Sequence, residues 1–270
     1  MQKYVVLEKE VGQTPLQCSD LYKESHPELT GVPMTYAGRL DPMASGKLLI
    51  LLGEECKNQT TYRALDKEYE FEVLFGISSD TADMLGRLTE HNRTKVSEAD
   101  LRAVATKLTG EIDLPYPHFS SKTVRGKPLH TWKLEGRIAE IKIPTKKSVI
   151  HSITCNAVHT QTRDEVYKYA TTKIETIPPV TELRKAIGND FRRADVRKDW
   201  QEFMETGSPE DIFYIAKFTC IASSGTYMRT LSEVIAKELG TNGLAYSIHR
   251  TKIGTYKKLP LLGGFWTKKF

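Results

Sequence analysis

One apolar run limits most strongly how this chain can fold. Leu48-Leu49-Ile50-Leu51-Leu52, opened by Lys47, leaves no room for polar alternation and reads as a strand buried in a core. Directly before it lies Gly38-Arg39-Leu40-Asp41-Pro42-Met43-Ala44-Ser45-Gly46, with a glycine at either end and a proline just after the acid. The glycines permit backbone angles that other residues resist, and Pro42 fixes the chain after Asp41. A turn thus delivers a carboxylate to the head of a core strand. On periodicity alone, the commoner meaning of this pattern is a surface turn whose aspartate bonds its own backbone. A functional meaning requires partners elsewhere in the chain.

The rest of the composition restricts the class of protein. With 39% hydrophobic and 27% charged residues over 270 positions, the chain can bury a core, and disorder is not expected. Met1-Gln2-Lys3-Tyr4-Val5-Val6-Leu7-Glu8 carries no charged-then-apolar signal, and no apolar run approaches the ~20 residues that span a bilayer. The expected location is the cytoplasm. Cys18, Cys56, Cys155 and Cys220 form no C-x-x-C pair, so all four read as reduced thiols rather than metal or redox groups, with Cys220 in the core. A net charge of +5 suits an RNA partner, although it suits many other enzymes as well.

Periodicity supplies the frame. Tyr4–Leu7 reads as a short strand, and Thr14–Thr35, broken by Pro15, Pro27, Gly31 and Pro33, as a short helix between loops. Lys67–Phe75 alternates, placing Tyr69, Phe71, Val73 and Phe75 on one face of a half-buried strand and glutamates on the other. Gly76–Asp83 reads as a loop. A serine-capped helix is predicted from Ser97 to a stop at Gly110. Leu114–His130, with three prolines, reads as loop or edge strand; its Lys122, Arg125, Lys127 and His130 interleave with Tyr116, His118 and Phe119, a mixture suited to phosphates and unstacked bases. Residues 160 to 211 look like a charged helical insertion with helices over Thr181–Ile187 and Arg193–Met204. Val196, Trp200, Phe203 and Met204 form a stripe that docks the second helix onto the body. Phe213–Ala222 reads as a strand, Ser223–Tyr227 as a turn, and the following segment as a helix with Leu231, Val234, Ile235 and Leu239 on one face, ending near Gly240. Arg229 falls in its first turn, where the helix dipole favours anions, so the arginine needs another partner.

An acid, a ring and a cation are thereby available as a constellation: Asp41, Tyr69 and Arg229. If Arg229 paired with Asp41, it would orient that carboxylate, and an ionised carboxylate can act as a covalent nucleophile. Phosphate-binding loops, zinc-protease helices, nucleophile elbows and dinucleotide fingerprints are all missing from the sequence. A glycosidase would need a second acid, which Asp80 or Asp83 could supply.

Three separated blocks resemble the TruB-type pseudouridine synthases, which isomerise a uridine in the T-loop of tRNA. Gly38–Lys57, with Leu40-Asp41-Pro42, Gly46, Leu52-Gly53-Glu54 and Lys57, is similar to the family's catalytic block. Asp66-Lys67-Glu68-Tyr69 resembles the block with its active-site tyrosine, and Ser224–Leu231 the block with the arginine that pairs with the aspartate. Weaker similarity covers Val124–Leu129 and Ile248-His249-Arg250. The resemblance implies an α/β (α+β) pseudouridine synthase fold: one catalytic domain built on a mixed, largely antiparallel sheet with a central cleft and peripheral helices. It implies Asp41 as nucleophile, Tyr69 stacked on the target base and Arg229 positioning Asp41, with no cofactor or metal. RNA contacts are expected from Tyr36, Arg39, Asp80, Lys122, Arg125, Lys127, Ile248 and Arg250, and tRNA, through its T-arm, is the expected partner of a monomer.

The chain departs from the family pattern at three points. Tyr36 stands where the tRNA enzymes usually carry a histidine that helps to open the T-loop. Phe119-Ser120-Ser121-Lys122 stands where the family tends to have Tyr-Ser-Ala-x-Lys, shifting the lysine by one. Only fourteen residues follow Tyr256, so the usual C-terminal PUA domain is not expected. A tRNA-folding helper that binds without catalysis, and a synthase acting on ribosomal or messenger RNA, stay open as alternatives.

Overall fold

The alternating segment around Tyr69 becomes the middle of a nine-stranded sheet. The computed structural model describes residues 2–91, 95–179, 192–259 and 263–270. In chain order its strands are β1 (Tyr4–Lys9), β2 (Met34–Tyr36), β3 (Ser45–Leu52), β4 (Asp66–Phe75), β5 (Ile77–Ser79), β6 (Leu88–His91), β7 (Gly110–Pro115), β8 (Thr123–Val124), β9 (Lys127–Pro128), β10 (Thr145–Thr162), β11 (Ile212–Ala222), β12 (Gly243–Leu259) and β13 (Gly263–Lys269). The described helices are α1 (Pro15–Glu24), α2 (Gln59–Arg63), α3 (Glu98–Leu108), α4 (Leu129–Leu134), α5 (Arg163–Thr176), α6 (Arg193–Glu205) and α7 (Met228–Glu238). None of them is long and apolar enough to cross a membrane.

The sheet runs β1-β3-β12-β4-β11-β10-β7, with β2 added to β3 and β13 to β12. Every pairing is antiparallel except β3 with β12, a parallel contact of two residue pairs, His249 with Ser45 and Arg250 with Gly46. The sheet is therefore mixed and largely antiparallel, as expected. That short seam joins two halves, β1-β2-β3 on one side and β4-β11-β10-β7 on the other. The cleft opens beside it because the strands cannot stay paired along their whole length.

Burial follows the sheet. Leu48 to Leu51 are fully buried, with Leu48 and Ile50 packing under α1 and Leu49 and Leu51 facing Ala37, Tyr62 and Ile253 on the other side. β4 differs from the half-buried strand expected. Lys67 is buried on the same face as Tyr69, Phe71, Val73 and Phe75, and the two ends of the other face are buried as well, Glu68 at one and Leu74 at the other, where it packs with Val166, Ala170 and Trp200; Glu70 and Glu72 between them stay partly exposed. Part of Gly76–Asp83, expected as a loop, pairs as β5 with β6. Leu114–His130 starts at the end of the edge strand β7 and continues through the small β8–β9 hairpin into α4. Ser97 caps α3 by accepting from the Asp100 N–H at 3.1 Å.

The stretch from residue 160 opens with the last turn-out of β10, then α5, capped by Thr162, and α6. The helix expected over Thr181–Ile187 lies outside the described residues. α6 does dock by the expected stripe: Val196, Trp200 and Phe203 pack with Leu74, Ile77, Phe213 and Tyr246, while Trp200 Nε1 donates to the Met84 carbonyl at 3.2 Å. Arg163 is buried beneath it, bonded to Asp211 and to the Phe203 carbonyl. Cys220 is buried in the core and all four cysteines are free.

Because Trp200 fills this second core and bonds across it, Trp200→Ala should lower unfolding free energy by about 3–5 kcal/mol in urea titrations. A loss under about 1 kcal/mol would show that α6 does not rest on the sheet as described.

Candidate active site

The glycine-flanked turn projects Asp41 into the cleft beside the β3–β12 seam. Its shape is held from three directions. The Ala44 N–H closes the turn onto the Asp41 carbonyl at 3.0 Å, and the Gly12 N–H reaches the Pro42 carbonyl at 2.9 Å. Arg250, on β12, donates to the Gly38, Arg39 and Lys47 carbonyls at 3.2, 3.3 and 2.7 Å, so one guanidinium grips both arms of the turn. Gly46 sits at φ +107°, and a Cβ there would collide with the Arg250 backbone. Only glycine lets the two strands approach this closely.

Arg229 meets Asp41 from the first turn of α7. Its Nε donates to Asp41 Oδ2 at 2.7 Å, its Nη1 to the Thr81 carbonyl at 2.8 Å and its Nη2 to the Phe119 carbonyl at 3.3 Å. The Arg229 side chain is 5% exposed, whereas that of Asp41 is 39% exposed. The cation thus forms the floor and the carboxylate faces the open space. Behind Arg229 lies Asp83, whose Oδ2 is 3.7 Å from Nε and whose Oδ1 accepts from Thr81 Oγ1 at 2.7 Å and the Leu85 N–H at 2.9 Å. Burial pushes the Asp83 carboxyl above its usual range, opposed by Arg229 and by the bond from Thr81. Burial alone would lower the Arg229 pKa, but Asp41 and Asp83 outweigh it and the guanidinium titrates above its ordinary value.

Around these groups is a cavity of about 630 Å³. Tyr69 enters it from β4; burial raises its phenol pKa, with Arg250 opposing. Tyr227, Phe119 and Ile248 add apolar wall, and Arg39, Arg63 and Lys67 add positive charge. Acid, ring and cation, which spacing could not show to meet, share one cavity. The arrangement offers a fixed, solvent-reachable carboxylate next to an aromatic ring, with oxygen-binding cations around it. That suits nucleophilic attack on a planar, phosphate-bearing substrate.

Several expected contacts sit differently. Asp80 does not line the cavity: its carboxylate accepts from the Arg87 N–H at 2.9 Å and pairs with Arg192, so it caps the loop instead of facing a base. Arg250 is 1% exposed and its guanidinium is engaged by backbone carbonyls, which replaces the expected phosphate contact with a grip on the turn. Ile248 is buried wall. Tyr36 lies in β2, outside the cavity, and packs against the cluster of Leu48, Ile50 and Leu52. Lys127 is paired with Glu135 and lies over the Trp132 ring. Lys122 and Arg125 are exposed on the β8–β9 hairpin, next to the Phe119–Ser121 segment that lines the cavity, and Arg39 is exposed at its mouth.

The sequence reading misses Lys67 and the bonding of Arg250 as site features, and offers Asp83 only as the second acid of a glycosidase. For Asp83 a signal existed: an acid set between Ala82 and Met84-Leu85 is flanked by residues that belong in a core. Lys67 gave none, because its neighbours Asp66 and Glu68 disguise it as part of a charged surface. The structure buries it, with its ammonium on the Arg63 and Leu65 carbonyls.

With this geometry in view, the profile of the TruB family pseudouridylate synthase N-terminal domain matches residues 31–179, more than half of the chain. The chain belongs to the TruB family. Among its relatives, "tRNA pseudouridine synthase B" of Caldicellulosiruptor saccharolyticus is 27% identical over 256 residues, which is 95% of this chain and 69% of that protein. The protein of the same name from Syntrophus aciditrophicus is 30% identical over 56% of this chain and 47% of its own length. "tRNA pseudouridine synthase 4" of Saccharomyces cerevisiae is 27% identical over 78% of this chain and 58% of its own. The chain thus spans about half to two thirds of the TruB relatives it matches. A chain in the crystal structure of a Cbf5-Nop10-Gar1 complex shares the fold, with a TM-score of 0.54 at 15% identity over 93% of this chain and 49% of that one.

Lys67 gives the site a pH signature. Burial, then Arg250, then Lys146 and Arg63 lower its pKa from 10.5 to about 7, against Asp66. Between those values the unfolded chain holds more protons than the folded one, so stability rises with pH, by at most about 1.4 kcal/mol per unit. Below the folded pKa both states are protonated and the burial cost is complete. The stability of the native chain minus that of Lys67→Met should therefore climb by about 2 kcal/mol from pH 7 to 9 and be level below about pH 6. A difference level throughout would contradict a charge buried at this position.

Proposed function

We propose that this chain converts a uridine in the T-loop of tRNA to pseudouridine, acting as a cytoplasmic monomer without a cofactor. The observation that carries the proposal is the Arg229–Asp41 bond of 2.7 Å on the floor of the cavity that Tyr69 enters. The relatives' names support tRNA as the substrate class.

The isomerisation breaks the bond between ribose C1′ and uracil N1 and forms one between C1′ and C5. N1 gains a proton and C5 loses one, so the reaction is balanced without an oxidant or reductant. Asp41 is the nucleophile, held by Arg229 so that its free edge faces the entering nucleotide. Tyr69 stacks on the uracil and limits its rotation after detachment. Its buried phenol, with a raised pKa, stays protonated at neutral pH. A uridine within a folded loop must leave its stack to enter this space, at a cost of a few kcal/mol offset by stacking on Tyr69 and by phosphate contacts. Arg39 at the cavity mouth, and Lys122 and Arg125 on the exposed segment that follows Phe119–Ser121, are the side chains proposed for those phosphates. Asp80 and Arg250 are already engaged within the protein.

Asp41→Asn separates this reading from a binding-only role. The amide keeps the size and one hydrogen-bond acceptor for Arg229 but is no nucleophile, so pseudouridine formation on a tRNA transcript should fall by at least about 10³-fold. tRNA binding in a filter assay should persist. Pseudouridine mapped at the native rate in the variant would refute Asp41 as nucleophile. Product appearing only on ribosomal or messenger RNA would refute the tRNA assignment.

A further inference from the structure

β12 links the cavity to a second surface. Ile248 and Arg250 line the cavity, yet the strand runs on to Leu259 and there pairs with β13 as a two-stranded ribbon. Neither Gly254–Leu259 nor Gly263–Lys269 contains an aspartate or glutamate, while together they hold Lys257, Lys258, Lys268 and Lys269. By register, Lys257 and Lys268 fall on one face of the ribbon and Lys258 and Lys269 on the other, so each face carries two positive charges and no negative one. Lys268 lies over the rings of Tyr62 and Phe270. Lys257, Lys258 and Lys269 are exposed and form no ion pair with the described residues. Directly across from Lys257 is Phe265, 47% exposed, an aromatic beside a cation.

The ribbon is rigidly built. A Cβ at Gly254 would strike the Lys268 carbonyl, and one at Gly264 the Tyr256 ring, so both glycines permit backbone contact that fixes the two strands. Trp266 packs edge-on against Tyr256 at 5.3 Å, which is in turn 5.4 Å from His151. The lysines are therefore presented on a preorganised scaffold. Its root is at the cavity: Gly254 pairs with Asp66 and Ile253 with Lys67, while exposed Arg63 stands at the cavity wall beside them. From Arg250 to Lys257 the strand advances about 23 Å at ~3.3 Å per residue.

We infer that the β12–β13 ribbon is a second RNA-binding surface, contacting the sugar-phosphate backbone of the substrate about 20 Å from the nucleotide in the cavity. This rests on the reading that the substrate is RNA. Lysines with no ion pair among the described residues and no intervening carboxylates suit a phosphate backbone, and the neighbouring exposed ring suits a sugar or an unstacked base. Charge continuity from Arg63 at the cavity to the ribbon gives the RNA a path between them. An acidic protein surface is the rival occupant.

The test is the triple variant Lys257→Gln, Lys258→Gln and Lys269→Gln in the full chain, with a tRNA transcript bound over a series of salt concentrations. These exposed residues should leave the circular dichroism spectrum and melting temperature unchanged. Affinity for tRNA should fall by at least about tenfold at low salt, and the slope of log K against log salt should become shallower by about two to three. The single-turnover rate of modification at saturating tRNA should stay native, because the reacting groups are untouched. Native affinity and slope in the triple variant would overturn the ribbon proposal and favour the acidic protein surface. A native chain that binds tRNA through the ribbon without modifying any uridine would instead overturn the catalytic reading and leave the ribbon standing.

Discussion

Arg229 is the side chain on which the candidate site depends. It is buried, and its guanidinium joins the Asp41 turn, the loop that holds the Thr81 carbonyl and Asp83, and the Phe119 carbonyl, three separate stretches of the chain. A charge taken so far from water is tolerated only when nearly every N–H finds an acceptor, and here most do. The dependence is mutual. Without Arg229, Asp83 would be left in the interior without its adjacent cation, a loss of the kind that costs about 3–5 kcal/mol. Site geometry and local stability are consequently set by one group.

The same economy appears at the seam between the two halves of the sheet. β3 and β12 touch through only two parallel residue pairs, which makes a cleft there unavoidable and leaves backbone carbonyls on the turn without strand partners. Arg250 supplies those missing donors. Gly46 allows the close approach, Arg250 fixes the turn after it, and Asp41 inherits its direction from both. An arginine at this position is thus better understood as a backbone clamp than as a surface cation.

Much of this was legible in the sequence, for identifiable reasons. The strands at Leu48–Leu52 and Phe213–Ala222, the capped helix after Ser97 and the stripe of α6 rest on periodicity and capping, both local properties. Asp41, Tyr69 and Arg229 were selected as a set because three spaced blocks resembled one family. Their meeting in one cavity depends on contacts far apart in sequence that periodicity does not encode. The same limit explains the corrections. β4 reads as half-buried because its glutamates alternate, yet Glu68 is buried and paired with Lys252 of the neighbouring β12, while Glu70 and Glu72 stay partly exposed. Asp80 and Asp83 are three positions apart, and only tertiary packing decides that Asp83 faces Arg229 while Asp80 faces Arg192. Lysines and arginines carry the same ambiguity: Arg250, Lys127 and Lys67 are indistinguishable by composition from Arg125 and Lys122, and burial sets Arg250 and Lys67 apart while an ion pair with Glu135 sets Lys127 apart.

The central claim is that a buried guanidinium organises the nucleophile for the proposed isomerisation. Its most direct test is the single-turnover rate of Arg229→Ala at saturating tRNA, with and without millimolar guanidinium added to refill the vacated space. The account predicts a rate lowered by at least about 10³-fold with tRNA affinity little changed, and partial recovery with guanidinium. A near-native rate in the variant, or a defect confined to tRNA affinity, would contradict it.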